Sequence, residues 1–137
     1  MKVIHYKSGY KYQLEKDYDI KTTFYPDNNI SLDYISLSKD GNLVIKKGYA
    51  WDGPSGPTID TKTFMRGSLV HDAIYQLFRL RKIEKDKFRD KADRLLKELC
   101  KEDGMSSIRA WWVYNAVKLF AGSSASNSRK KSVTKSP

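Results

Sequence analysis

Two adjacent residues near the middle of the chain, His71 and Asp72, are the side chains best suited to chemistry. Tyr75 follows His71 by one helical turn in the stretch SLVHDAIYQL. On a helix, positions 71 and 75 share a face, whereas position 72 points about 100° away from position 71. His71 and Asp72 therefore cannot form a base and its orienting partner, and we expect them to serve two separate roles.

A second carboxylate, Asp93, lies at the edge of the apolar stripe of the following predicted helix. The short connection between the two helices predicts antiparallel neighbours, so Asp93 could reach His71 or Tyr75. An aspartate bonded to one imidazole nitrogen fixes the tautomer and makes the other nitrogen a better base, which could activate water for attack on an ester or amide. The alternative is that His71 and Asp93 form a buried hydrogen bond that only holds two helices together.

The segment before the first helix, WDGPSGPTID, is too rich in glycine and proline to form a regular element. Gly53 and Gly56 allow backbone N–H and C=O groups to converge on one point. Calcium prefers carbonyl and carboxylate oxygens, so this loop could bind calcium together with Asp72, or could donate an N–H to a developing oxyanion. The alternative is a rigid turn whose glycines serve only backbone geometry.

Three further charged residues flank this loop. Asp52 could bind a metal or could bond the N–H groups of its own turn. Asp60 is a candidate helix cap or ligand. Arg66 could bind a lipid or substrate phosphate, or could pair with Asp52 or Asp60 and hold the loop against the helix.

Short strands are predicted in front of the loop, where aromatic and β-branched residues partly alternate with polar ones. Asp40-Gly41 supplies the left-handed geometry of a hairpin turn. The first half is therefore expected to form a small, mostly antiparallel sheet. The predicted strands cover residues 3–6, 10–14, 17–25, 30–37 and 43–49.

Three helices are predicted after the loop, at about residues 64–80, 84–102 and 106–121, from apolar spacing of helical period. Gly104 ends the second helix and Ser106 or Ser107 caps the third. The fold class is therefore α+β: a small N-terminal antiparallel sheet followed by three packed helices. We expect a single domain over residues 1–122 and a flexible, basic, disordered tail over residues 123–137.

The third helix carries several aromatic residues that have two interpretations. They could meet a membrane surface, with basic neighbours for anionic lipid, or could pack on the sheet. Trp111 and Trp112 are adjacent and cannot both face one direction, so one of them is expected to be exposed at an interface. The residues concerned are Trp111, Trp112, Tyr114 and Phe120, with Arg109 and Lys118 as the basic neighbours.

Composition limits the partners and the compartment. The formal charge is +10, of which the last fifteen residues supply four, leaving +6 on the rest. A basic chain is attracted to nucleic acid, to lipid headgroups or to an acidic protein, although the tail has no aromatic residue to stack on bases, which makes nucleic acid the less favoured partner. Cys100 is the only cysteine and is expected to fill core space. Neither a secretory signal nor a membrane-spanning segment is expected.

The elements WDG-x-SGP, Arg66, HD-x-x-Y and A-D-R-L-L occur in an order that resembles an uncharacterised family of small bacteriophage proteins. The similarity runs from about Tyr49 to Phe120. It implies a phage origin, with other phage structural or tail proteins as partners and the virion or the host cytoplasm as location.

A glycine-rich loop, HD-x-x-Y on one helix and A-D on the next are also distantly similar to phospholipases A2, the forms without disulfides being closest. This resemblance implies that His71 is the general base, supported by Tyr75 and Asp93. It also implies that Asp72, Gly53 and Gly56 hold calcium, and that a phospholipid membrane is a partner. The loop departs from the usual Tyr-x-Gly-x-Gly pattern, because Pro54 and Pro57 lack N–H groups.

The expected function is that of a phage accessory or virion-associated protein that carries a phospholipase A2-like constellation of His and Asp. The first alternative is an active calcium-dependent lipid esterase. The second is another metal-assisted hydrolase, for example on peptidoglycan, that uses Asp52, His71, Asp72 and Asp93.

Overall fold

Short antiparallel strands make up the first half of the chain. The computed structural model describes residues 3–7, 12–51 and 61–119, without the side chain of residue 61. Within these ranges the strands are β1 (Tyr6–Lys7), β2 (Tyr12–Leu14), β3 (Tyr18–Lys21), β4 (Ile30–Ser31), β5 (Ile35–Leu37), β6 (Asn42–Ile45) and β7 (Ala50–Trp51).

The strands form two sheets where the sequence predicted one. The first sheet has the order β1-β2-β7 and the second has the order β3-β6-β5-β4, and every pairing in both is antiparallel. Tyr12 lies opposite Trp51, and Tyr18 lies opposite Ile45. The segment from Tyr12 to Tyr18 has the same number of residues as the segment from Ile45 to Trp51. The register is therefore kept from one sheet to the other. The ladder is interrupted near Gly48, whose φ of 98° is a left-handed conformation that favours glycine.

The prediction of one strand over residues 30–37 is wrong. Ile30 pairs with Leu37 and Ser31 pairs with Ser36, so the segment folds back on itself as a hairpin. The Leu32 N–H donates to the Ile35 carbonyl over 2.8 Å, which closes the turn. The alternation of apolar and polar residues continued through this turn, and therefore did not reveal it.

Three helices follow, close to the predicted positions. They are α1 (Thr61–Arg79), α2 (Lys85–Glu102) and α3, described over residues 107–119. As predicted, Gly104 terminates α2, two residues after its last helical residue: Gly104 has a φ of 109°, and the N–H of Met105 donates to the Cys100 carbonyl. Ser106 is the cap of α3, because its Oγ accepts the Arg109 N–H at 3.2 Å.

Two apolar clusters hold the elements together. The larger one packs both sheets against α1 and α2, and contains Leu14, Tyr18, Leu43, Ile45, Val70 and Ile74 among others. The smaller one joins the three helices and contains Phe64, Leu96, Cys100, Met105, Ala110 and Val113. Cys100 is buried as predicted, and burial raises the pKa of its thiol to about 12. The α+β class, with antiparallel strands followed by three helices, is confirmed.

The third helix docks on other helices, and its tryptophans lie on the outside. Tyr114 donates its O–H to Asp90 on α2 at 2.6 Å, and this bond, together with Arg94, lowers the pKa of Asp90. Trp111 and Trp112 are 57% and 50% exposed. The interpretation that α3 packs its aromatic residues on the sheet is therefore wrong for both tryptophans, and both are exposed where we expected one.

Two further expectations from the sequence concern the C-terminal tail and membrane-spanning segments. The predicted tail, 123–137, lies outside the described residues, and the division into a domain and a tail stays a prediction. Among the helices that the structure describes, none is both long and apolar enough to cross a bilayer.

Candidate functional site

The candidate site lies between α1 and α2, which run side by side after a short turn. Gly67 on α1 makes their close approach possible, since a Cβ at this position would meet Leu96 Cδ1 at 2.8 Å and Cys100 Sγ at 3.1 Å. His71 lies one helical turn after Gly67, and Tyr75 one turn after His71, on the face of α1 that is turned to α2. Asp93 on α2 lies within reach of both side chains.

His71, Tyr75 and Asp93 form one hydrogen-bonded unit, as the sequence predicted. His71 Nε2 lies 2.7 Å from Asp93 Oδ1, and the Tyr75 O–H donates to the same oxygen at 2.8 Å. The rings of His71 and Tyr75 are in contact, with centroids 4.3 Å apart and planes inclined by 32°. The imidazole is therefore held by a bond at one edge and by a ring on one face.

Burial gives this unit its electrostatic character. Asp93 is 0% exposed and Tyr75 is 3% exposed. Burial and the neighbouring Asp93 carboxylate raise the pKa of Tyr75, so the hydroxyl keeps its proton and acts only as a donor. Asp93 Oδ2 is buried and has no hydrogen-bond partner among the described residues, which is uncommon for a carboxylate oxygen and costs folding free energy.

The two ring nitrogens of His71 have different surroundings. We assign the proton to Nε2, because its partner, Asp93 Oδ1, is a carboxylate oxygen that already accepts from Tyr75 and can only accept hydrogen bonds. Nδ1 has no hydrogen-bond partner in the described ranges, and the His71 side chain is 8% exposed. Nδ1 of the neutral ring therefore keeps a lone pair that is not used within the described fold.

Only part of the predicted calcium site falls within the described residues. Asp72 is half-buried on α1 and has interactions of its own. Gly53 and Gly56, together with Asp52 and Asp60, lie outside the described residues. No group of three or more carboxylate, His or Cys side chains in the described ranges could hold a metal. Calcium takes six to eight oxygen ligands, so Asp72 alone does not fit the ion, and we derive no step through it.

Arg66, predicted to bind substrate phosphate or the loop aspartates, lies in a buried ionic cluster. It is 3% exposed, and its guanidinium donates to both Asp103 oxygens, at 3.0 and 3.1 Å. It also donates to Glu102 at 2.7 Å and to the Tyr18 hydroxyl at 3.1 Å. Burial opposes the charge, but these bonds outweigh burial and raise the pKa of Arg66. This geometry favours a structural role, which connects α1 to β3 and to the end of α2.

Sequence reasoning did not find the residues that hold the start of the glycine-proline loop. Trp51, the last described residue before the loop, is buried and donates its indole N–H to Ser68 Oγ on α1 at 3.0 Å. Three tyrosines surround the Trp51 ring, namely Tyr6, Tyr12 and Tyr49. The chain thus enters the loop from a point fixed one turn before His71.

Comparison with protein families finds a match over most of the described residues. The family model described as Protein of unknown function (DUF1353) matches residues 29–117, which include His71, Tyr75 and Asp93. Neither the curated proteins nor the solved structures yield a significant match.

Proposed function

Since this chain belongs to the DUF1353 family, whose function is unknown, we propose from its own geometry that it is a lipid esterase of phospholipase A2 type with His71 as general base. One observation carries the proposal: His71 Nε2 is bonded to a buried carboxylate, whereas Nδ1 has no partner among the described residues. The order of a glycine-rich loop, HD-x-x-Y and A-D, which resembles the order in phospholipases A2, motivates the same assignment.

In this mechanism Nδ1 takes a proton from water while the water oxygen attacks the carbonyl carbon of a phospholipid ester. The imidazolium that forms is stabilised by the Asp93 carboxylate over 2.7 Å. As the ester C–O bond breaks, Nδ1–H returns the proton to the leaving alcohol oxygen. Asp93 and Tyr75 act through the ring and are positioning residues. Calcium held by Asp72, Gly53 and Gly56 remains a prediction of the proposal.

The test is fatty-acid release from phospholipid vesicles, with and without added calcium. His71→Ala is expected to lower the rate by about 100-fold or more, because the general base is lost. His5→Ala is the matched control, since His5 is the only other histidine and is exposed just before β1, and it should keep the wild-type rate. An unchanged rate in His71→Ala would show that His71 is not the base.

The second candidate is a non-enzymatic accessory protein of a bacteriophage, associated with the virion or with its tail proteins. The similarity of the WDG-x-SGP and HD-x-x-Y order to phage proteins motivates it, and so does the burial of His71, which is 7% exposed. In this case the His71–Asp93 bond only connects α1 and α2. Wild-type protein that releases no fatty acid at any calcium concentration would favour this candidate over the esterase.

A further inference from the structure

The third helix has apolar side chains on two opposite faces, and the described part of the chain covers only one of them. Ala110, Val113 and the partly buried Val117 pack into the helical cluster. The other face carries a stripe that we call the α3 stripe: Ile108, Trp111, Trp112 and Leu119, which are 80%, 57%, 50% and 71% exposed. At about 100° per residue these positions are centred on the side opposite the face formed by Ala110, Val113 and Val117. Asn115 is the polar residue on this side, and its amide donates to the Trp111 carbonyl. Monomeric proteins rarely expose large apolar patches without a partner.

Basic residues border the α3 stripe on both sides. At about 100° per residue, Arg109 and Lys118 fall on its two edges. Between Met105 and Leu119 the sequence has these two basic residues and no acidic one. The neighbouring acid on α2, Asp90, is engaged by Tyr114 and Arg94. Exposed apolar side chains bordered by two basic residues fit a negatively charged partner.

The two indole N–H groups give a second indication. Neither Trp111 nor Trp112 has a hydrogen bond from its ring nitrogen among the described residues, in contrast to Trp51. An amphipathic ring whose N–H is left to solvent is the type of side chain enriched at the boundary between hydrocarbon and headgroups. There the ring enters the apolar region while the N–H bonds an ester or phosphate oxygen.

We propose that the α3 stripe is a docking surface for an anionic phospholipid bilayer, with α3 lying in the plane of the interface. Trp111, Trp112, Ile108 and Leu119 enter the bilayer, and Arg109 and Lys118 bind the headgroups from its edges. Long basic side chains at the border of an apolar face can reach the headgroups while their aliphatic parts stay in contact with the apolar region. The inference rests on α3 alone and does not depend on catalysis by His71.

Other anionic partners fit this surface less well. Nucleic acid could stack on the tryptophans, but it offers nothing to the aliphatic ends of the stripe, which are its most exposed members. An acidic protein would need a groove shaped to the protruding indoles, whereas a fluid bilayer accepts them without one. Charge and exposed apolar area together favour the bilayer.

The test is co-sedimentation of the full chain with phosphatidylcholine vesicles that contain or lack phosphatidylglycerol. Wild-type protein is expected to bind the anionic vesicles, and Trp111→Ala/Trp112→Ala to bind about tenfold or more weakly, because two insertions are lost. Tryptophan emission should shift to shorter wavelength on binding. Trp51, which is 2% exposed, contributes a constant background.

Matched control variants distinguish binding through the α3 stripe from nonspecific hydrophobic or electrostatic binding and from catalysis. Leu80→Ala removes an apolar side chain that is 47% exposed just after the end of α1, and it should bind as wild type does. Lys118→Gln is expected to weaken binding more than Lys39→Gln, a change of an exposed lysine in the turn between β5 and β6. His71→Ala should bind normally even where it abolishes turnover. Equal binding of wild type and the double variant, or binding to DNA or to a protein in place of vesicles, would overturn the proposal.

Discussion

At the scale of single residues, Asp93 is the centre of the site. Its Oδ1 accepts from His71 and Tyr75, while Oδ2 is buried without a partner among the described residues. Such an arrangement costs folding free energy, because a desolvated carboxylate is only half satisfied. A site that uses histidine as a general base can tolerate this loss of folding free energy, because the negative charge behind the ring stabilises the imidazolium.

The Tyr75 hydroxyl should contribute measurably to stability. Tyr75→Phe removes one of the two donors to Asp93 Oδ1, so the free energy of unfolding is expected to fall by about 1–3 kcal/mol. Urea denaturation would measure the change. Tyr34→Phe is the control, because Tyr34 is 49% exposed and its hydroxyl can reach water. An equal and negligible effect of both substitutions would mean that the bond to Asp93 adds nothing to stability.

At the scale of elements, the contact between α1 and α2 determines the site geometry. Gly67 lets the two helices approach one turn before His71, and the Arg66 cluster fixes the same end of α1 to α2. Asp93 can reach His71 only because this distance and rotation are set. The helices were predictable from apolar period and capping residues, whereas their closeness depends on a glycine whose role is visible only in the packed structure.

Gly67→Ala tests this contact. Alanine favours helix over glycine by about 1 kcal/mol, but the added Cβ would press against buried Leu96 and Cys100. We expect a net loss of about 1–3 kcal/mol in the free energy of unfolding, because overpacking outweighs propensity.

The double variant Gly67→Ala/Cys100→Ala is the check on this explanation. It removes the sulfur that lies 3.1 Å from the added Cβ, and should therefore recover part of the loss in a double-mutant cycle. A stabilised Gly67→Ala variant, measured by thermal unfolding, would show that the helices can separate at no cost.

At the scale of the whole molecule, groups that stay neutral in the interior link stability to pH. Burial raises the pKa of the Cys100 thiol from 9.0 to about 12 and also raises the pKa values of Tyr18 and Tyr75. A raised pKa means that the folded state keeps a proton which the unfolded chain loses. The corresponding stability is complete below pH 9.0 and is lost as the pH rises towards about 12.

Alkaline unfolding should therefore begin with Cys100. Between pH 9 and 10 the free energy of unfolding of the wild type is expected to fall by up to about 1.4 kcal/mol through this thiol, the value of one pKa unit, because the thiol ionises there in the unfolded chain and not in the folded one. Cys100→Ala should show a flatter profile in that interval, and Tyr18 and Tyr75, whose unfolded pKa is 10.0, add most of their effect above pH 10. Identical profiles for both proteins in urea titrations would contradict the assigned thiol pKa.

The sequence by itself determined the local order: antiparallel strands, then three helices with Gly104 and Ser106 at their boundaries. These features depend on period, turn residues and caps, which act over a few positions. It also brought out His71, Tyr75 and Asp93, because helical spacing puts the first two on one face and a short connection brings the third near. The hairpin within residues 30–37 was missed, because apolar alternation does not show where a chain reverses.

Tertiary structure decided which nitrogen of His71 is bonded, which partners Arg66 takes and which face of α3 is left uncovered. Each of these depends on contacts between residues far apart in sequence: His71 with Asp93, Arg66 with Asp103, and Val113 with the other helices. Burial and hydrogen bonding at such contacts depend on how whole helices and sheets pack against each other in three dimensions. The local pattern of residue types along the sequence does not encode this packing. For this reason Trp111 and Trp112, of which we expected one to be exposed, both lie on an outer surface of the protein.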